Sequence, residues 1–242
     1  MKLREEIKRQ AKAGFTAQYG ACLCALLLLM VIGWAISSVS FAINAGDMLH
    51  NFTVRITGYG TFQPFAPITS FFSTLSTLVS IFVLLPLTVG YNAFSLRVYR
   101  GEEADVGGMF RDGFANYLRH VGGMLWMALF TFLWTLLFIV PGIVKALAYF
   151  MAPYILADCP DVTATDALKL SMRMTSGHKG RVFVMGLSFI GWGILTALTG
   201  GLLGIFYTGP YINTSFAGLY HELKQEALAK GVVSPAELGM AA

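Results

Sequence analysis

A chain of 242 residues that is 56% hydrophobic and 12% charged holds about half the charge of a soluble domain, too little to wet one globular surface. Its apolar residues gather in blocks of about 20, the length that crosses roughly 30 Å of hydrocarbon. The net charge of +4 flanks those blocks and forms no basic stripe with interleaved aromatics, which points to anionic lipid headgroups and excludes nucleic acid as a partner.

In chain order, Met1–Phe15 sets Lys8, Arg9 and Lys12 against Leu3, Ile7 and Ala11, the pattern of an amphipathic helix lying in the headgroup plane. A first span over Tyr19–Ile43 follows, in which Cys22 and Cys24 point apart. The insertion Asn44–Ser70 faces outward. Within it Phe52–Gly58 alternates like a short strand, while Phe62, Phe65, Phe71 and Phe72 suit the membrane interface. The second span is Phe71–Leu96. Asp105 then caps a second amphipathic helix, with Phe110, Phe114, Tyr117 and Val121 opposite Arg111, Asp112 and Arg119. The third span, Val121–Val140, turns at Pro141-Gly142 into a short fourth, Ile143–Ala157. That span barely covers the hydrocarbon, so it must stand upright, lean on Tyr149 and Tyr154, or be shielded by neighbours. Thr163-Ala164-Thr165-Asp166 fits a capping box; it opens a third amphipathic helix with Ala167, Leu168, Ser171 and Met172 opposite Lys169 and Arg173. The fifth span is Val182–Leu203, the sixth Ile205–Tyr220, and residues 225–242 form a flexible tail.

All of the 17 lysines and arginines except Arg55 and Lys145 fall on one side of this arrangement, which makes both termini cytoplasmic. The segments Val31–Trp34, Thr131–Trp134 and Phe189–Trp192 are alike. So are Gly90-Tyr91, Pro153-Tyr154 and Pro210-Tyr211 in the returning spans. The expectation is an all-α membrane protein: about six transmembrane helices as three parallel-repeated hairpins, each preceded by a cytoplasmic amphipathic interfacial helix. It forms one integral membrane domain over 1–242, with repeat-like units 1–100, 101–158 and 159–224. Parallel copies differ from the inverted repeats of many transporters.

None of the 13 carboxylates falls inside an expected span. That weighs against ion-coupled transport and removes aspartyl-type intramembrane proteolysis, which needs two facing carboxylates. Lys145 is the one formal charge inside a span, where it either snorkels outward or binds an anion. His120, His178 and His221 lie near the cytoplasmic interface beside Arg119, Lys179 and Arg181, a setting that repels metal cations and favours phosphate. No catalytic, cofactor or metal residues emerge, and no cofactor is expected. The candidate contacts for an anionic lipid or ligand are Lys145, Lys169, Arg173, His178, Lys179, Arg181, Arg119 and His120. Pro86, Pro153 and Pro210 interrupt returning spans, either as packed kinks or as openings to a substrate. Gly193, Ala197 and Gly201 let helices approach closely, within the chain or across a dimer.

Two stretches carry a family resemblance. One runs from Val140-Pro141-Gly142-Ile143-Val144-Lys145 to Met151-Ala152-Pro153-Tyr154-Ile155-Leu156-Ala157-Asp158. The other runs from Ser171 through Gly177-His178-Lys179-Gly180-Arg181 to Leu187–Trp192. With Gly209-Pro210-Tyr211 and Phe216–Tyr220, they resemble the bacterial membrane family called domain of unknown function 975. The resemblance implies a bacterial plasma membrane and several spans, and supplies no activity. A fainter similarity to membrane domains attached to some glycerophosphodiester phosphodiesterases implies a lipid-handling context, though the hydrolase domain is missing here. The expected function is therefore a non-enzymatic scaffold, auxiliary or lipid-interacting module, whose further partners are other membrane proteins or a second copy. The alternative is a transporter of small or lipid-like molecules, which requires a polar cavity lined by Ser73, Thr74, Ser76, Thr77, Asn92, Asn213 or Ser215.

Overall fold

A computed structural model describes residues 4–57 and 66–240, and among the described residues all regular structure is helical, with no strand. The helices are α1 (Arg4–Ala17), α2 (Tyr19–Thr57), α3 (Ala66–Arg100), α4 (Val106–Ala115), α5 (Tyr117–Leu137) and α6 (Ile139–Tyr149). They continue as α7 (Ala152–Asp158), α8 (Ala164–Thr175), α9 (Lys179–Leu187), α10 (Ile190–Leu198) and α11 (Gly209–Ala229), with a π-helix at Gly204–Thr208 and a 3-10 turn at Ala236–Leu238. Five stretches are long and apolar enough to cross a membrane: Tyr19–Ser38, Ser70–Arg100, Tyr117–Leu137, Ile139–Asp158 and Lys179–Leu198. Each overlaps one of the first five expected spans. The sixth, Ile205–Tyr220, falls on the π-helix and the first half of α11. That helix carries Asn213, Thr214 and Ser215 before Glu222 and Lys224, and it is not among the five.

One expectation is overturned outright. The alternation in Phe52–Gly58 is not a strand, because α2 stays helical through Thr57. Extending a formed helix costs little per residue, whereas an isolated strand has no edge to pair with. Gly58, Phe62 and Phe65 lie outside the described residues.

The chain divides into two compact units, Leu28–Leu84 and Met1–Leu27 with Leu85–Ala242. The division falls inside the first expected hairpin of the single domain 1–242, away from the repeat boundaries after residues 100 and 158. In the smaller unit Trp34, Phe41, Phe71, Phe72, Leu75 and Leu78 are exposed. The hydroxyls of Ser38, Thr74, Thr77 and Ser80 donate to carbonyls of their own helix, at 2.7–3.0 Å. Helices that turn apolar side chains outward and satisfy their hydroxyls internally suit a lipid solvent.

In the larger unit, glycines set the close crossings. A Cβ on Gly90 of α3 would collide with the Met109 carbonyl and lie 3.0 Å from the Gly113 Cα. One on Gly113 would lie 2.8 Å from the Pro86 carbonyl oxygen. Helices α3 and α4 therefore meet backbone to backbone. The protein-facing side of α4 is a glycine face: Gly108, Met109 and Gly113 are buried, while Phe114 is 42% exposed. The Asp105 cap forms as expected, accepting from the Gly108 N–H at 2.9 Å. Helix α1 buries Ile7, Ala11 and Phe15, and its Gly14 presses on the Val98 carbonyl of α3. Gln10 donates to the Tyr99 carbonyl, and Gln18 bridges Glu102 and Ala104.

The fourth span is longer than expected, and half of its apolar window is buried, against 11–22% for the other four, so neighbours do shield it. It is also broken, at residues 150–151 between α6 and α7, and α8 repairs the break. Ser171, itself fully buried, accepts from the Met151 N–H at 3.2 Å and donates to the Ala148 carbonyl at 2.7 Å. Pro153 and Pro210 stand in the first turns of α7 and α11, where a missing N–H costs nothing. The Thr163 box forms, its hydroxyl accepting from the Asp166 N–H at 3.2 Å. Gly193 and Ala197 are exposed, Gly193 meets no neighbour, and Gly201 sits in a turn with positive φ. The segment expected as a flexible tail continues α11 to Ala229. It then buries Val233 and Leu238 and ties Glu237 to Arg173 of α8.

Candidate functional site

The charged side chains of the larger unit gather where α3 and α7 end and α11 runs past them. α7 finishes in Asp158, and on α11 the i, i+4 spacing of Tyr220 and Lys224 puts a hydroxyl and an ammonium on one face. Arg100 from the last turn of α3 donates to Asp158 Oδ1 at 2.8 Å. Lys224 Nζ and the Tyr220 hydroxyl donate to Oδ2 at 2.7 and 3.1 Å. The Asp158 and Lys224 side chains are each only 9% exposed. The carboxylate is thus saturated by three donors and joins three helices. Lys224 also lies 3.7 Å from Cys159 Sγ. Burial pushes that thiol above its ordinary pKa despite the lysine beside it, so it is a poor nucleophile.

Beside this knot, Arg119 of α5 serves backbone carbonyls. Its guanidinium donates to the oxygens of Leu156, Cys159 and Val162 at 2.6, 2.9 and 2.7 Å, capping the C-terminal end of α7 with a cation. His120 is buried. Its Nδ1 is 2.7 Å from the Gly113 carbonyl and its Nε2 3.1 Å from Arg119 Nη2. A carbonyl can only accept and a guanidinium only donate, which fixes the neutral Nδ1–H tautomer.

The remaining candidate cations fall into four groups. Lys169 pairs with Asp166 at 2.9 Å and Arg173 with Glu237 at 2.5 Å. The hydrogen bond from Arg173, then that from the Ser234 N–H, holds the Glu237 carboxyl down at about 2. His178 Nε2 and Arg181 Nη1 sit 3.4 Å from the two oxygens of Glu226, which also takes Lys230. Led by the Lys230 hydrogen bond, these cations lower the Glu226 pKa. Lys179 is half-buried and has no ion pair among the described residues. Lys145, between α5, α6 and α8, faces the rings of Trp134 and Tyr149.

Of the residues nominated as lipid or ligand contacts, Arg119, His120, His178 and Arg181 are engaged by carbonyls and carboxylates of the chain itself, which their sequence setting did not reveal. Sequence reasoning missed the Asp158 knot altogether, although the Tyr220–Lys224 spacing was a signal. Of the polar side chains nominated for a transport cavity, Thr74, Thr77, Asn213 and Ser215 donate to carbonyls of their own helix at 2.7–3.0 Å. Among the described residues no group of three His, Cys, Asp or Glu side chains converges as metal ligands.

No curated protein and no solved structure shows a significant match to the chain. A family match does exist, and it runs from Gly113 in α4 to Ala227 in α11. It takes in Arg119, His120, Lys145, Asp158 and Lys224 and leaves out Arg100. Over residues 113–227, the chain matches the model of the uncharacterised family described as Protein of unknown function (DUF975).

Proposed function

We propose that this chain is a non-enzymatic integral membrane protein of the bacterial plasma membrane, with both termini cytoplasmic. It acts as a scaffold or auxiliary module that engages anionic lipid. The observation that carries this reading is the use made of charge. The buried ionisable groups tie α3, α5, α7 and α11 together, and none of them is arranged as a nucleophile with a base. Four of the five apolar stretches bury no more than 22% of their apolar window.

The three-hairpin reading is supported by the helices α1, α4 and α8, each of which precedes an odd-numbered span. The basic residues available to headgroups are then those that no carboxylate, carbonyl or ring engages among the described residues: Arg4, Arg9 and Lys12 on α1, where Lys8 donates to the Ser188 carbonyl, and Lys179 before the fifth span. Removing Arg9, Lys12 and Lys179 together is expected to weaken anionic-lipid retention by roughly 1 kcal/mol per charge, less at high salt. Removing Lys169 and Arg173 leaves retention nearly unchanged. The reverse order of effects counts against the reading. Crosslinking in native membranes, followed by partner identification, tests the scaffold role. Recovery of the chain alone, with substrate flux in proteoliposomes, would favour a carrier.

That second reading, transport of a small or lipid-like molecule, draws on the interruptions at residues 150–151 and 188–189 and on the π-helix at Gly204–Thr208. Broken helices free carbonyls for a substrate. Here Ser171 already occupies the first break, so this reading stands second.

A further inference from the structure

Lys145 is a cation inside a candidate span, Ile139–Asp158, with no counter-charge around it. It lies roughly 9 Å along the helix from the start of that span, at 1.5 Å per residue. Its Nζ is 4.9 Å from the Trp134 ring centroid, 5.9 Å from that of Tyr149 and 3.9 Å from Met172 Sδ. No carboxylate among the described residues pairs with it. The ammonium is thus held where α5, α6 and α8 meet, instead of reaching past the turn at Phe138 as a snorkelling lysine does.

The ammonium is left with a deficit. Aromatic faces recover only part of what a desolvated cation loses, and a charge held within hydrocarbon is costly. An anion beside the ammonium closes that gap. The surroundings also define what kind of anion fits. Met127, Phe130 and Met172 pack around the Tyr149, Ala152 and Leu168 cluster, and thioether side chains adapt to flexible apolar partners. Ile143 and Val144, on the same helix, are exposed. An acid group on an acyl chain suits this wall; a hydrated ion does not.

We infer that Lys145, with Trp134 and Tyr149, binds the acidic headgroup of an anionic lipid within the span, the acyl chain lying along α6. The inference rests on the lipid-engaging reading above and assigns it a specific site.

The test is native mass spectrometry of the full chain in detergent, titrated with phosphatidylglycerol and, separately, phosphatidylcholine. The wild type is expected to retain phosphatidylglycerol preferentially. Lys145→Gln and Lys145→Met should each weaken that retention roughly fivefold, the equivalent of ~1 kcal/mol for one lysine, and leave phosphatidylcholine unchanged. Lys145→Arg should preserve it. Equal phosphatidylglycerol retention in both neutral variants and the wild type overturns the site while leaving the lipid-engaging reading standing. A wild type that does not distinguish the two lipids overturns both. Displacement of phosphatidylglycerol by excess inorganic phosphate reassigns the site to a free anion and refutes the lipid assignment.

Discussion

Asp158→Asn tests whether the buried knot holds the larger unit together. The substitution keeps the shape of the side chain and removes its charge. Lys224, whose side chain is 9% exposed, then loses its only carboxylate among the described residues and keeps a neutral amide. Breaking one side of a buried pair costs about 3–5 kcal/mol, mostly the penalty of the stranded partner. Arg100, a quarter exposed, turns to water and softens the loss. Adding Lys224→Met removes the stranded cation, so the double variant should recover most of the loss and end within about 1–2 kcal/mol of the wild type, since apolar replacement of a buried pair is close to neutral. The assay is unfolding of the full chain in mixed micelles, followed by denaturant titration and by thermal melting. With about 2–4 °C per kcal/mol for a chain this long, Asp158→Asn should lower the midpoint by roughly 6–20 °C. Two results refute the reasoning: a loss under about 1 kcal/mol for Asp158→Asn, or a double variant less stable than the single one.

Ser171→Ala should cost about 1–3 kcal/mol, because the Met151 N–H loses its hydroxyl acceptor and the Ala148 carbonyl keeps only the Thr175 hydroxyl at 3.2 Å; the same unfolding titration measures it. Gly90→Ala should lose about 1–3 kcal/mol by driving α4 off α3, whereas Gly193→Ala, with open space around it, should gain up to about 1 kcal/mol of helix stability. Docking of the C-terminal segment should depend on acid pH. The Glu237 pKa is depressed from 4.5 to about 2, so its contribution is complete above pH 4.5 and is lost as pH falls from there to about 2. Hydrogen exchange of residues 230–240 should rise across that window in the wild type, and in Glu237→Gln should be fast throughout.

Where the sequence was legible, the local chemistry was self-contained. The Asp105 and Thr163 caps depend on side chains within three residues of the backbone they serve, and the apolar stretches needed only length. The buried face of α4 was not legible, for a reason particular to membranes. An apolar side chain such as Phe114 is as content in lipid as in a protein interior, so the aromatic face did not mark the inside. The small residues did, at Gly90 and Gly113, where two backbones touch. Gly193 and Ala197 show that small residues alone are not sufficient either. The Asp158 knot was invisible for another reason: its partners lie 58 and 66 residues away, and no local pattern records which acid meets which base.

The same pairing changes what the basic residues mean. An orientation argument counts every lysine and arginine alike, but a field at the membrane surface comes only from charge that is not neutralised at short range. Lys169 and Arg173 each face a carboxylate of their own, while Arg181 and Lys230 share Glu226, so beyond about a Debye length the first two pairs nearly cancel and the last group is only partly neutralised. Arg119 directs both terminal nitrogens at three carbonyls, and its Nε is buried out of reach of the surface, so it is poorly placed to take a headgroup phosphate. The cations of α1, with Lys179, are left to act on headgroups, and Lys145 is left inside the span without an acid. Lipid recognition then has two distinguishable parts: a surface part that weakens with salt, and a part at Lys145 that salt barely touches, because low-dielectric surroundings screen it little.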